Sequence, residues 1–128
     1  MLKRLAVIAA VLFITACETP NKPVALSDLM AQPAEQALLA GLRAYDEGLY
    51  PVAERELQRS LTLKLRAPRD VANANKYLAF IYCTSERLSA CEKAFAAARA
   101  ADPKFELSKA EAGHPQWGPV YRKVMGAS

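Results

Sequence analysis

Three cysteines and one histidine are the side chains of this 128-residue sequence best suited to covalent or metal chemistry. Cys17 follows an apolar run, Cys83 and Cys91 lie close together, and His114 stands between a glycine and a proline. No serine is accompanied by a histidine and a carboxylate in a recognisable motif, and no glycine-rich phosphate loop is present. We therefore expect no catalytic residue, no metal site and no cofactor, with His114 acting as a turn residue that bonds a nearby carbonyl.

The N-terminal segment has the layout of an export signal. A cationic start is followed by an uncharged apolar run over residues 5–14, which is too short for a membrane-spanning helix of about 20 residues. The run ends at Ile14-Thr15-Ala16-Cys17, where an aliphatic residue and two small residues precede a cysteine. This motif resembles the lipobox of bacterial lipoproteins. The alternative is an ordinary secretory signal with an incidental cysteine.

The lipobox resemblance implies that residues 1–16 are a signal peptide and that Cys17 becomes the lipidated N-terminus, with palmitate among its three acyl chains. Several acyl chains anchor a protein firmly to a membrane. Glu18 follows in place of the aspartate that favours inner-membrane retention in enterobacterial lipoproteins, which implies the periplasmic face of the outer membrane. The formal net charge of +4 falls when Lys3 and Arg4 leave with the signal, and nothing in the sequence indicates nucleic acid binding.

The other two cysteines are expected to form a disulfide. With Cys17 assigned to lipid, Cys83 and Cys91 remain as an even pair in an oxidising compartment. Their spacing is too wide for a thioredoxin-type redox pair, and no other metal ligand accompanies them. A structural bridge between two helices is therefore favoured.

Helical periodicity begins after a proline-containing tether over residues 17–33. We expect one helix from about Ala34 to Gly48, a second from Tyr50 to the break at Ala67-Pro68, a third from an N-cap at Asp70 to Thr84, and a fourth from Leu88 to Asp102-Pro103. The apolar stripe of the first comprises Leu38, Leu39, Leu42 and Tyr45, and Trp117, Val120, Tyr121 and Val124 indicate a short closing helix.

The four main helices form two copies of one hairpin. Corresponding positions are 38 residues apart in the sequence. The first copy has Gly41, Ala53, Leu57 and Ser60; the second has Leu78, Ala79, Tyr82, Cys91, Phe95, Ala98 and Pro103.

This pattern resembles the tetratricopeptide repeat (TPR), an antiparallel helix pair of about 34 residues. The resemblance implies an all-α fold of two TPR-like hairpins, at 34–67 and 68–103, and a capping segment at 104–128. A plain four-helix bundle is the alternative.

One face of the third helix carries our candidate partner-binding residues, namely Asn73, Lys76, Tyr77 and Phe80. Aromatic residues at helical spacing are usually core, and the concave face of such repeats commonly binds an extended peptide or a helix of a partner. We expect at least one of these aromatic side chains to lie on that face. Glu106 and Glu111, in the tail, are expected to be solvated.

The leading interpretation is a non-enzymatic adaptor, anchored by lipid, that recruits a periplasmic or outer-membrane protein. The tail from Asp102 to Val120, the paired cysteines and the lipidated N-terminus together resemble small TPR lipoproteins associated with type VI secretion. That resemblance implies an accessory role with subunits of the secretion apparatus as partners. The alternatives are a pilot or chaperone lipoprotein for an outer-membrane subunit, and a ligand-binding envelope protein.

Overall fold

A computed structural model describes residues 32–126 of the chain. Within that range there are six helices and no strand, so the all-α prediction is confirmed there. The helices are α1 Pro33–Asp46, α2 Tyr50–Thr62, α3 Pro68–Thr84, α4 Leu88–Ala101, α5 Lys109–Ala112 and α6 Gly118–Gly126. The predicted signal peptide and Cys17 lie outside the described residues.

The first three helices each begin with a proline in their first turn. Proline fits there because its φ is already helical and the N–H that it lacks would have no acceptor within the helix. In α3 this rule places the start at Pro68 with Ala67 as the N-cap, so the predicted N-cap role of Asp70 is wrong. Asp70 instead lies in the first turn, where its negative charge is favourable next to the positive end of the helix dipole.

Left-handed backbone ends three of the helices. Gly48 and Glu86 occupy equivalent turns of the two hairpins, with φ of 74° and 62°. For Glu86 this conformation costs roughly 1–2 kcal/mol, which glycine avoids. Lys64 has a φ of 68°, and α2 accordingly ends at Thr62, before the predicted break at Ala67-Pro68.

The helices pack as two hairpins joined side by side. α1 lies along α2 and α3 along α4, and α3 also packs against α2 and, less extensively, α1. Leu57 and Phe95 occupy corresponding positions at the centres of the two hairpins, and both are fully buried. Leu39 is 51% exposed, so its predicted place in the apolar stripe of α1 is wrong, because α1 buries its Leu38 side against its neighbours.

Gly41 permits a close approach between α1 and α2. A Cβ atom built at this position would lie 2.8 Å from the Cγ of Leu57 and 3.1 Å from its backbone nitrogen. The corresponding residue of the second hairpin, Ala79, is also fully buried. Small side chains at these two positions therefore set the distance between the paired helices.

Polar contacts join the first hairpin to the turn of the second. Arg87 donates two hydrogen bonds of 2.8 Å to the carboxylate of Glu54, and its guanidinium lies 4.7 Å from the ring centroid of Tyr82. The amide of Gln58 donates to the hydroxyl of Tyr82 at 2.9 Å. The hydrogen bond from Arg87 lowers the pKa of Glu54, so this carboxylate is charged at neutral pH.

The C-terminal residues form the closing helix that the sequence predicts, but it starts one residue after Trp117. α6 packs against α4, where the ring centroid of Tyr121 is 5.5 Å from that of Phe95. The short helix α5 was not expected. Its start is a capping box, in which the hydroxyl of Ser108 accepts from the backbone N–H of Glu111 and the carboxylate of Glu111 accepts from that of Ser108.

The disulfide joins Cys83, near the end of α3, to Cys91, in the first turns of α4, and their Cα atoms are 5.2 Å apart. Both cysteines are buried. The bond closes the α3–α4 turn and removes conformations from the unfolded chain more than from the folded one.

We expect the double variant Cys83→Ala/Cys91→Ala to lose roughly 2–3 kcal/mol of unfolding free energy, because this is the loop-closure entropy that a disulfide across so short a loop removes from the unfolded chain. Urea denaturation followed by circular dichroism would measure the loss. The wild-type protein should lose a similar amount on reduction, while the double variant should not respond to the reductant. A wild-type transition that does not move on reduction would contradict the stabilising role.

Candidate interaction site

The four candidate partner-binding residues lie on one side of α3, but the structure divides them into buried and accessible residues. Asn73 and Lys76 are half-buried and border open space. Tyr77 is half-buried within a row of aromatic rings, and Phe80 is only 3% exposed. The expectation that Phe80 contacts a partner is therefore wrong for this structure.

The C-terminal segment is the reason for the burial of Phe80. The indole of Trp117 stacks on its ring with 4.1 Å between centroids, and Phe95 contacts it edge-on from α4 at 6.2 Å. Leu78 and Ile81 are also buried, so α3 buries more than one face. A helix with neighbours on several sides can bury aromatic residues on more than one face. The expectation that an aromatic residue of α3 must lie on the concave face did not allow for this.

A row of six aromatic rings, which we call the aromatic row, connects the first hairpin, the second hairpin and the C-terminal segment. Consecutive ring centroids lie 3.4–5.7 Å apart from one end of the row to the other. Its members, in spatial order, are Tyr50, Tyr45, Tyr77, Phe80, Trp117 and His114. Burial, followed by the neighbouring hydroxyls of Tyr50 and Tyr77, raises the pKa of Tyr45 to about 12. Tyr45 is therefore neutral at physiological pH. The row is fully packed only at Phe80, which is 3% exposed, whereas Tyr50 at its end is 48% exposed.

His114 is held by its neighbours in the turn before α6. Its ring stacks on the Trp117 indole at 3.4 Å, and its Nδ1 accepts a hydrogen bond from the backbone N–H of Gln116. The sequence predicted a hydrogen bond from His114 to a backbone carbonyl; in the structure the imidazole of His114 instead accepts a hydrogen bond from a backbone N–H. The indole Nε1 of Trp117 donates to the carbonyl of Glu111, which fixes the stack relative to α5.

Lys76 and Glu111 form an ion pair between α3 and α5, with 2.8 Å between Nζ and Oε1. The ammonium group also lies 4.8 Å from the ring centroid of Tyr77. Glu111 is thus not the solvated carboxylate that its polar segment suggested. Burial by itself raises the pKa of Glu111, but the hydrogen bonds from Lys76 and Ser108 outweigh it and the pKa is lowered. The spacing Ser108-x-x-Glu111 was the sequence signal that could have revealed the role of Glu111.

A polar cleft of about 470 Å³ lies beside this ion pair, between the first turns of α3 and the chain that follows α4. We call it the α3 cleft. Ala72 and Phe105 are its buried apolar residues. Its polar lining consists of Arg69, Asp70, Asn73, Lys76, Asp102, Lys104 and Glu106.

Most polar side chains of the α3 cleft have no partner among residues 32–126. Arg69, Asp70, Asn73 and Glu106 make no side-chain hydrogen bond or ion pair within that range, and the ammonium group of Lys104 makes none either. The exceptions are Lys76 and Asp102, whose carboxylate accepts from the backbone N–H of Lys104. Sequence reasoning selected only Asn73 and Lys76. It assigned Asp70 to a helix N-cap and did not single out Arg69, and it could not place the second wall, which comes from a different part of the chain.

No protein-family model, curated protein or solved structure matches the chain. Within residues 32–126, no group of three or more histidine, cysteine, aspartate and glutamate side chains is arranged to hold a metal ion. No helix in that range is both long enough and apolar enough to cross a membrane. The lipidation site predicted at Cys17 lies outside the described residues.

We expect Glu111→Gln to destabilise the protein at neutral pH and to do so less at acidic pH. The folded pKa of Glu111 is lowered, so its charge contributes stability that is present above the unfolded pKa near 4.5 and is lost as the pH falls through the lower, folded value. Urea denaturation of both proteins between pH 3 and pH 7 would measure the difference. Glu47→Gln is the control, since Glu47 is exposed and makes no ion pair within residues 32–126. A difference that does not vary with pH would argue against a charge effect.

Proposed function

We propose that the protein is a non-enzymatic adaptor of the bacterial cell envelope, anchored through lipid on Cys17, whose TPR-like hairpins present the α3 cleft to a protein partner. The observation that carries this proposal is the unpaired polar lining of that cleft. Arg69, Lys104 and Glu106 are exposed and Asp70, Asn73 and Asp102 are half-buried, so cations, anions and an amide border one concave, solvent-open space. Binding sites are usually concave, and converging polar groups fix the orientation of the ligand in them.

Burial at corresponding positions supports the TPR-like part of the proposal. Ala53 and Cys91 correspond in the two copies, as do Leu57 and Phe95, and all four are fully buried. Ser60 is buried as well, and its hydroxyl donates to the carbonyl of Leu57 at 2.6 Å, which explains how a serine can occupy the position that corresponds to Ala98 in the second copy. The packing of α3 against both helices of the preceding hairpin is also what stacked repeats require.

The C-terminal segment supports the adaptor interpretation in a second way. Two repeats leave an apolar end that must be covered, since each repeat buries its face against a neighbour. Trp117 and Tyr121 cover this end by packing on Phe80 and Phe95. With Phe80 and Phe95 covered within the chain, the polar α3 cleft is our candidate for partner contact.

Lipidation is tested by metabolic labelling with an alkyne analogue of palmitate. We expect label and membrane association in the wild-type protein and the loss of both in Cys17→Ser, because Cys17 supplies the only thiol that the lipobox positions for acylation. The double variant Cys83→Ala/Cys91→Ala is the matched control and should keep its label. A labelled Cys17→Ser protein would rule out this anchor.

Partner contact is tested by a photo-crosslinking residue at position 73 in living cells. We expect a discrete adduct from this position and none from position 96, which is exposed on α4 away from the α3 cleft. Mass spectrometry of the adduct would identify the partner. Subunits of a secretion apparatus would support the type VI version of the proposal, and an outer-membrane subunit that depends on this chain for its localisation would support the pilot version. Equal crosslinking from both positions, or none, would contradict the adaptor function at this site.

A further inference from the structure

The α3 cleft contains charges of both signs on both of its walls. The α3 wall contributes Arg69 and Asp70, and the wall after α4 contributes Asp102, Lys104 and Glu106. Lys76 adds a further cation, but it is already paired with Glu111. No ion pair forms among the five others, although each sign is present on each side. Arg69, Asp70, Lys104 and Glu106 are therefore without an ion-pair partner within residues 32–126, and the carboxylate of Asp102 accepts only from the backbone N–H of Lys104.

This arrangement selects against ligands that carry a single sign of charge. A phosphate or an acidic peptide would pair with Arg69 or Lys104 but would also approach the carboxylates, and a polybasic peptide would meet the cations. Like charges brought close together are unfavourable. A ligand with both an acidic and a basic group can satisfy both sets at once.

The dimensions of the cleft fit an extended peptide. Arg69 and Lys76 mark its length along α3, and a helix rises about 10 Å over such a separation. About three residues of extended chain cover that distance. The side-chain amide of Asn73 lies between them and can both donate to and accept from a peptide backbone. Phe105 and Ala72 supply apolar contact for the aliphatic parts of long charged side chains.

We propose that the α3 cleft binds a short extended peptide segment that carries one acidic and one basic side chain. The inference rests on the proposed adaptor function and specifies the chemistry of the partner segment. Arg69 and Lys104 pair with its carboxylate, Asp70 and Glu106 pair with its cationic group, and Asn73 bonds its backbone.

The test uses four peptides that share one backbone and differ only in charge. Gly-Glu-Gly-Lys-Gly is the mixed probe. The three comparison peptides carry two glutamates, two lysines or two glutamines at the positions of its glutamate and lysine, and all four peptides have blocked ends. Each is titrated into the isotope-labelled, full-length protein in detergent while backbone amide resonances are followed by NMR. We expect saturable shifts at Arg69, Asp70, Asn73, Asp102 and residues 104–106, with the mixed peptide binding roughly tenfold more tightly than any other, a factor equivalent to 1.4 kcal/mol.

Charge-neutral variants distinguish recognition from a structural effect. Asp70→Asn should move the preference toward the two-glutamate peptide, and Lys104→Gln should move it toward the two-lysine peptide. Glu47→Gln and Lys93→Gln, at exposed positions outside the α3 cleft, should leave the preference unchanged. A structural role for Asp70 or Lys104 would weaken all four peptides alike and would not reverse their order.

Three results would overturn this inference. Equal shifts with all four peptides, or none, would remove the charge selectivity; tightest binding of a single-sign peptide would assign a different ligand. Phosphoethanolamine shifting the same resonances more strongly than the mixed peptide would indicate a zwitterionic headgroup site. If a protein is still crosslinked from position 73 in cells, these results reject only the peptide chemistry, whereas loss of that adduct rejects the adaptor function itself.

Discussion

Phe95 is the residue on which the second half of this fold depends. It lies fully buried where α3, α4 and α6 meet, with Phe80 on one side of its ring and Tyr121 on another. A lone helix hairpin cannot surround a side chain of this size, so burial of Phe95 requires the C-terminal segment to return over α4. The disulfide holds the same hairpin closed at its turn.

The path that the C-terminal segment takes to reach Phe95 also creates the α3 cleft. Phe105 and Leu107 are both buried, and the backbone N–H of Leu107 donates to the hydroxyl of Tyr121. These contacts fix the chain after α4 as a wall opposite the first turns of α3. The ion pair between Lys76 and Glu111 then ties α5 to α3 beside the cleft. The shape of the cleft thus follows from core packing, while its charged residues take little part in that packing.

Local signals in the sequence predict most of the helices, and tertiary contacts explain what they miss. Prolines at the starts of α1, α2 and α3 and Gly48 at the first turn act within a few residues, so their effects can be read from the sequence alone. The burial of Phe80 depends on Trp117, which is far away in the sequence, and no periodicity within α3 contains that information. Of the site, the sequence predicted only Asn73 and Lys76: Asp70 resembled an N-cap, nothing distinguished Arg69 from other surface charges, and the second wall is positioned by residues after α4.

α3 therefore has two separate sets of residues with different consequences. Leu78, Ala79 and Phe80 are buried, and changes there act on the free energy of unfolding. Arg69, Asp70 and Asn73 lie in the earlier turns and pair with nothing in residues 32–126. An exposed ion pair typically contributes at most about 1 kcal/mol to stability, so the unpaired charges of Arg69 and Asp70 contribute little by pairing. By contrast, the Glu54–Arg87 pair joins the two hairpins with two short hydrogen bonds. The fold thus uses some of its charges to connect helices, whereas Arg69, Asp70, Lys104 and Glu106 make no ion pair within residues 32–126.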